Sequence, residues 1–166
     1  MYRFAEDLKV ASIVETSRLD VTEIDIPALQ AVYDYWDRQR GDTFAPSLKQ
    51  FRLDDLAPAI VPNMAVVDFV GPPLDYFYRF FGSKMVEVSG MELTGKTYYA
   101  DGIKGYGFVN AEIFPEMIAE RRPICTRTHW ISVRALHYAT ITIRLPISAD
   151  GETVTSGVTV NQFHRA

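Results

Sequence analysis

At 166 residues, with 48% hydrophobic and 23% charged side chains, the chain has the size and make-up of one folded domain, and this excludes a disordered segment. Its 17 basic and 21 acidic side chains leave a net charge of −4, which argues against binding to a nucleic-acid backbone. One cysteine, Cys125, excludes an internal disulfide and a cysteine-rich zinc site.

Residues 1–26 carry only a weak stripe (Phe4, Leu8, Ala11) and read as an irregular lead-in. The charged residues Arg3, Glu6, Asp7 and Lys9 leave no room for a signal-peptide core. No apolar run reaches the length of a bilayer span, so no membrane insertion and a cytoplasmic location are expected. Asp25-Ile26-Pro27 is a helix-start signal. From there Leu29, Val32, Tyr33 and Trp36 fall at helical spacing until Gly41 offers a stop. A loop follows, and Asp54 or Asp55 is placed to cap a short helical turn that Pro62 ends.

The rhythm then changes to that of strands. Residues 64–70 and 75–81 are rich in β-branched and aromatic side chains, and Gly71-Pro72-Pro73 between them makes a hairpin. Ser83 opens a short helix holding Met85 and Val86, closed by Gly90. Residues 93–105 read as loop, and a longer helix is expected over 108–121, with Pro115 in its first turn or at a kink. The Arg121-Arg122 pair suits the end of that helix, where cations complement the dipole. Three strand-like runs, 123–130, 136–147 and 154–164, complete the chain, the last two joined by an Asp150-Gly151 turn. A hairpin and a three-stranded run separated by helices predict an α+β fold with a five-stranded antiparallel sheet, short central helices and an N-terminal flanking helix.

Four stretches add specificity to that order. They are Tyr33-Asp34-Tyr35-Trp36 followed by the segment 51–70; Tyr78-Arg79-Phe80-Phe81-Gly82-Ser83 running into Val86-Glu87 and Gly90; Leu93-Thr94-Gly95-Lys96; and Leu145-Pro146-Ile147-Ser148 with Asp150-Gly151. On these the sequence resembles the PAS domains, in particular a bacterial subfamily, the fifth, whose members are often little more than one PAS domain. The resemblance runs from residue 27 to the C-terminal strand, leaving 1–26 as a separate lead-in to a single domain at 27–166. Phe80-Phe81 is bulkier than the aliphatic pair expected before that glycine, which narrows any cavity. What the resemblance implies is a sensor module without its own output domain, binding a small organic or anionic ligand and acting through protein contacts. Flanking helices of PAS domains pair with another copy, so Leu29, Val32, Tyr33 and Trp36 are candidates for a homodimer or partner surface. The same face is equally expected if the helix merely covers its own core.

Candidate ligand contacts follow from strand alternation together with the resemblance: Arg79, Phe81, Met85, Tyr106, His129, Tyr138, Thr140 and Asn161. Arg79 stands mid-strand among aromatics. It either anchors an anion inside a pocket or points outward to an acid such as Glu87. His129 and His137 flank a strand turn, but no third ligand stands at motif spacing, so no metal is expected. Asn161 and Gln162 lie where flavin-binding PAS modules present amides, yet those modules carry a reactive cysteine on a helix whereas Cys125 belongs to a strand. Haem and flavin are therefore disfavoured. No catalytic motif is present. The competing expectation is a small cone-shaped α+β enzyme of isomerase or dehydratase type, with Asp68 or Glu87 as general base.

Overall fold

The computed structural model describes residues 11–99 and 107–166. Among them the chain is α+β. Its strands are β1 (Ser12–Leu19), β2 (Met64–Val70), β3 (Asp75–Phe81), β4 (Lys96–Tyr98), β5 (Ile124–Ile131), β6 (His137–Ile147) and β7 (Ser156–Arg165). They form a single antiparallel sheet in the order β1-β5-β6-β7-β2-β3-β4. Three helices accompany it: α1 (Pro27–Arg40), α2 (Ser83–Ser89) and α3 (Gly107–Glu120).

Seven strands stand where five were expected. Both additions are edge strands from segments without strand periodicity. β4 is only three residues long and pairs with β3. β1 arises from the lead-in, where Ser12–Leu19 pairs with β5 along its length and Arg18 forms an ion pair with Glu116 of α3. An edge strand with one free side needs no continuous apolar pattern, and β1 is exposed at most positions.

The sheet is covered on both faces. On one, α1 buries Leu29, Val32, Tyr35 and Trp36 against Met64, Val66, Ile143, Leu145, Val158 and Val160. Trp36 donates its indole N–H to the Pro146 carbonyl at 2.8 Å, and Tyr33 stacks on it with centroids 6.0 Å apart. The helix face offered by sequence as a partner surface is thus occupied within its own core. Leu29, Val32 and Trp36 expose almost nothing, and Tyr33 is half-buried. Pro27 supplies the start of α1, but Ile26 caps it without a side-chain hydrogen bond. The turn expected near Asp54 is two separate 3-10 turns, Leu53–Asp55 and Val61–Asn63.

On the other face lie α2 and α3, with Val109, Ile113, Phe114 and Met117 packed over Ala65, Val67, Tyr76 and Tyr78. Pro115 sits in the interior of α3, which begins well ahead of it at Gly107. Gly82, at the cap of α2, is held against the preceding segment by its N–H on the Met64 carbonyl at 2.8 Å. A Cβ there would stand 2.2 Å from the Pro62 carbonyl oxygen and 2.8 Å from that of Met64. Backbone oxygens of the 3-10 turn and of the paired strand that follows it cannot swing aside as a flexible side chain can. Gly82→Ala is therefore expected to cost about 1–3 kcal/mol in chemical denaturation.

Cys125 is buried on the α1 face. Burial raises its thiol from 9.0 to about 11, against the opposing charges of Arg144 and Arg127. The sign follows: the unfolded thiol ionises first, so its contribution to stability is complete below about pH 9 and lost as pH rises towards 11. The melting temperature should fall across that window. A thiol reagent at neutral pH should modify Cys125 only when denaturant is added.

No helix among the described residues is long and apolar enough to cross a membrane.

Candidate functional site

Alternation along the strands puts an unusual row of side chains on the α3 face. In register, Thr126 of β5 lies beside Thr142 of β6 and Asn161 of β7; Thr128 beside Thr140 and Phe163; Ile124 beside Arg144 and Thr159. Register partners share a sheet face. Thr126, Thr128, Thr140, Thr142, Arg144, Thr159 and Asn161 are all buried, and Arg144 exposes 0% of its surface. A sheet centre covered by a helix is ordinarily apolar. Here it is largely hydroxyl, amide and guanidinium.

Hydrogen bonds bind this row to the elements around it. Arg144 donates through Nε to Asn110 Oδ1 of α3 at 2.7 Å and through Nη1 to Thr126 Oγ1 at 2.8 Å. Thr142 donates to Asn161 Oδ1 at 2.6 Å. Asn161 in turn donates its amide to the Asn63 carbonyl and to the Met85 sulfur of α2, both at 3.1 Å. Further along, the Trp130 indole N–H donates to Thr140 Oγ1 at 2.8 Å. Hydrogen bonds from this row therefore tie β6 to β5 and to α3 through Arg144, and β6 to β7 and to α2 through Asn161.

On the β3 side Tyr78 joins the Arg144 group through Asn110. Burial drives its phenol well above the usual range, and Tyr98 and Tyr76 push the same way. The Arg144 charge and a hydrogen bond with Asn110 oppose them. The phenol is neutral at any physiological pH, so it can both donate and accept. Around it the wall is aromatic: Phe81 meets Tyr78 edge-on at 5.4 Å, and Phe114 lies 5.1 Å from Phe69 and 5.5 Å from Tyr76.

Of the ligand contacts read from sequence, Phe81, Met85, Tyr138, Thr140 and Asn161 do share this face. Tyr138 is half-buried and stacks on Trp130 with centroids 4.9 Å apart. Tyr106 lies outside the described residues. Arg79 is elsewhere. The β2–β3 register slips between Val66 and Val67, so Tyr78 and Phe80 have partners on β2 and Arg79 is the residue left over. That bulge turns it to solvent, where its Nε holds Asp68 Oδ2 at 2.7 Å. Asp68, rather than Glu87, is the acid it meets, and the other carboxylate oxygen accepts from Ser156 at 2.7 Å. His129 is exposed on the opposite face of the sheet from Thr128 and Trp130.

The two acids considered as general bases are engaged away from the aromatic wall. Asp68 is held as described, and Glu87 is an exposed partner of Lys84 at 2.9 Å. Among the described residues no group of three His, Cys, Asp or Glu side chains is gathered to hold a metal ion.

Sequence reasoning passed over Arg144, Thr126, Asn110 and Tyr98. The signal for Arg144 was present: it is the one charge inside the apolar run of residues 139–147. For Asn110 and Tyr98 no local pattern marks the side chain as facing a network.

The chain matches no protein-family model and no curated protein.

Proposed function

We propose that this chain is a PAS-type sensing module that binds a small organic molecule on the α3 face of its sheet and passes the signal on by protein contact. The observation that carries this reading is the buried polar row centred on Arg144. Desolvating a guanidinium and several hydroxyls costs more than burying aliphatic side chains of similar size, so stability alone does not account for them. Hydroxyl, amide and guanidinium donors opposite tyrosine and phenylalanine rings suit a compact ligand with an apolar body and acceptor oxygens. A carboxylate is the natural class.

The element order adds support. Without the edge strands β1 and β4, the sheet reduces to β3-β2-β7-β6-β5, the five strands that the resemblance implies, with α2 and α3 between hairpin and meander. The row also touches both helices, Asn161 at Met85 of α2 and Arg144 at Asn110 of α3, so a ligand that re-pairs these residues would move the helices. Since the apolar side of α1 is buried at home, contact with a second copy or another protein falls to other surfaces.

The test is thermal unfolding against a panel of small carboxylic acids and related metabolites. A ligand at a hundred times its Kd stabilises the native state by about 2.7 kcal/mol, readily seen as a shifted melting temperature. Thr142→Val, which removes one hydroxyl from the row, should reduce the shift while leaving the fold intact. If no compound raises the melting temperature, the ligand-binding reading fails.

A further inference from the structure

Tyr78 and Arg144 stand on β3 and β6, with β2 and β7 between them, so their strands lie about 14 Å apart across the sheet. Both side chains nonetheless reach Asn110 of α3. Together they arch over the two intervening strands. Register gives the floor beneath: Val67 stands between Tyr78 and Gly157, and Ala65 between Phe81 and Thr159, with Arg144 beyond Thr159. Above Gly157 the space is taken, since Phe69 and Met117 lie 3.0 and 3.2 Å from where its Cβ would stand. The small side chains of Ala65 and Thr159 are then the low point of the floor, flanked in register by Phe81 and Arg144.

The hydrogen bonds of the arch have a direction. Asn110 Oδ1 accepts from Arg144 Nε at 2.7 Å, so the amide nitrogen is the end left for Tyr78, and it donates to the phenol oxygen. A donor at that oxygen favours the ionised phenol, which is the sense in which Asn110 acts on Tyr78. Tyr78 therefore meets Asn110 as an acceptor and still carries its own proton. The residue is only 7% exposed, yet among the described residues no group takes that proton. Its neighbours Phe81 and Val67 offer hydrocarbon. A buried O–H donor without an acceptor is rare in a folded chain and points to a group that arrives from outside.

We propose that Tyr78 selects the ligand on the α3 face by donating its phenol proton to an oxygen of a bound carboxylate. The inference rests on the ligand-binding reading above and names the anchor of that site. Two features favour the carboxylate. The Arg144 charge is felt at the phenol, which suits an anion beside it and opposes a cation. A molecule with no acceptor leaves the donor unmatched in the core, so a hydrocarbon or ammonium of the same size is rejected.

The probes are hexanoate, benzoate and phenylacetate, titrated calorimetrically into the full chain. Tyr78→Phe keeps the ring and removes the donor, so the fold should persist by circular dichroism while the affinity of an acid that binds falls by about ten- to a hundred-fold. A crystal structure of the native chain with the tightest acid should place a carboxylate oxygen about 2.5–3.0 Å from Tyr78 Oη. If the acids bind native and Tyr78→Phe chains equally, or the crystal shows water at the phenol and the carboxylate elsewhere, the role of Tyr78 is overturned and the ligand-binding reading survives. If hexylamine binds as well as hexanoate, the selection fails in the same way. If no acid binds the native chain, the reading itself falls and the anchor with it.

Discussion

Replacing Arg144 by alanine is expected to destabilise the fold by about 3–5 kcal/mol in urea or guanidinium unfolding. Two costs add. The side chain is among the largest fully buried ones in the protein, so its loss leaves a cavity that strands β5, β6 and β7 cannot close. In addition, Asn110 Oδ1 and Thr126 Oγ1 lose the donor that satisfies them inside the core. Arg144→Met separates the two. It restores most of the volume and none of the hydrogen bonds, so about 1–3 kcal/mol should remain. If Arg144→Ala were as stable as the native chain, the guanidinium would not be the centre of a tight network.

Trp36→Ala is expected to be comparably severe, about 3–5 kcal/mol, and equally so at low and high protein concentration. Its indole fills the space between α1 and the sheet and satisfies the Pro146 carbonyl. A core residue acts on the folded chain itself, whereas an interface residue makes the unfolding midpoint depend on concentration. Melting curves of the native and variant chains over a hundred-fold dilution, about the range that moves a linked equilibrium by 2.7 kcal/mol, would reveal the difference. A midpoint that falls with dilution in the native chain and not in the variant would place Trp36 in a dimer interface.

Much of this architecture was legible in sequence because period and punctuation agreed. The hairpin at Gly71-Pro72-Pro73, α1 from Pro27 to the stop at Gly41, and the three C-terminal strands all combine a clear apolar rhythm with a turn residue. The two edge strands escaped because an edge has little to bury: β1 shows mostly exposed residues, and β4 is three residues long. The site was half legible. Alternation on β6 and β7 led to Thr140, Tyr138 and Asn161, and the α2 pattern to Met85. Arg79 was the attractive cation in sequence, and a bulge, which no periodicity reports, sent it to solvent. A guanidinium is buried on the α3 face, but it is that of Arg144, which donates to Asn110 Oδ1 and Thr126 Oγ1.

Native mass spectrometry of the chain purified from a bacterial host tests ligand binding on the α3 face most directly. The expected result is a non-covalent adduct of small-molecule mass, released on denaturation, and absent or reduced in Thr142→Val. A clean mass for the native chain, with no added organic acid restoring an adduct or raising the melting temperature, would contradict it and leave the polar row as a purely structural network.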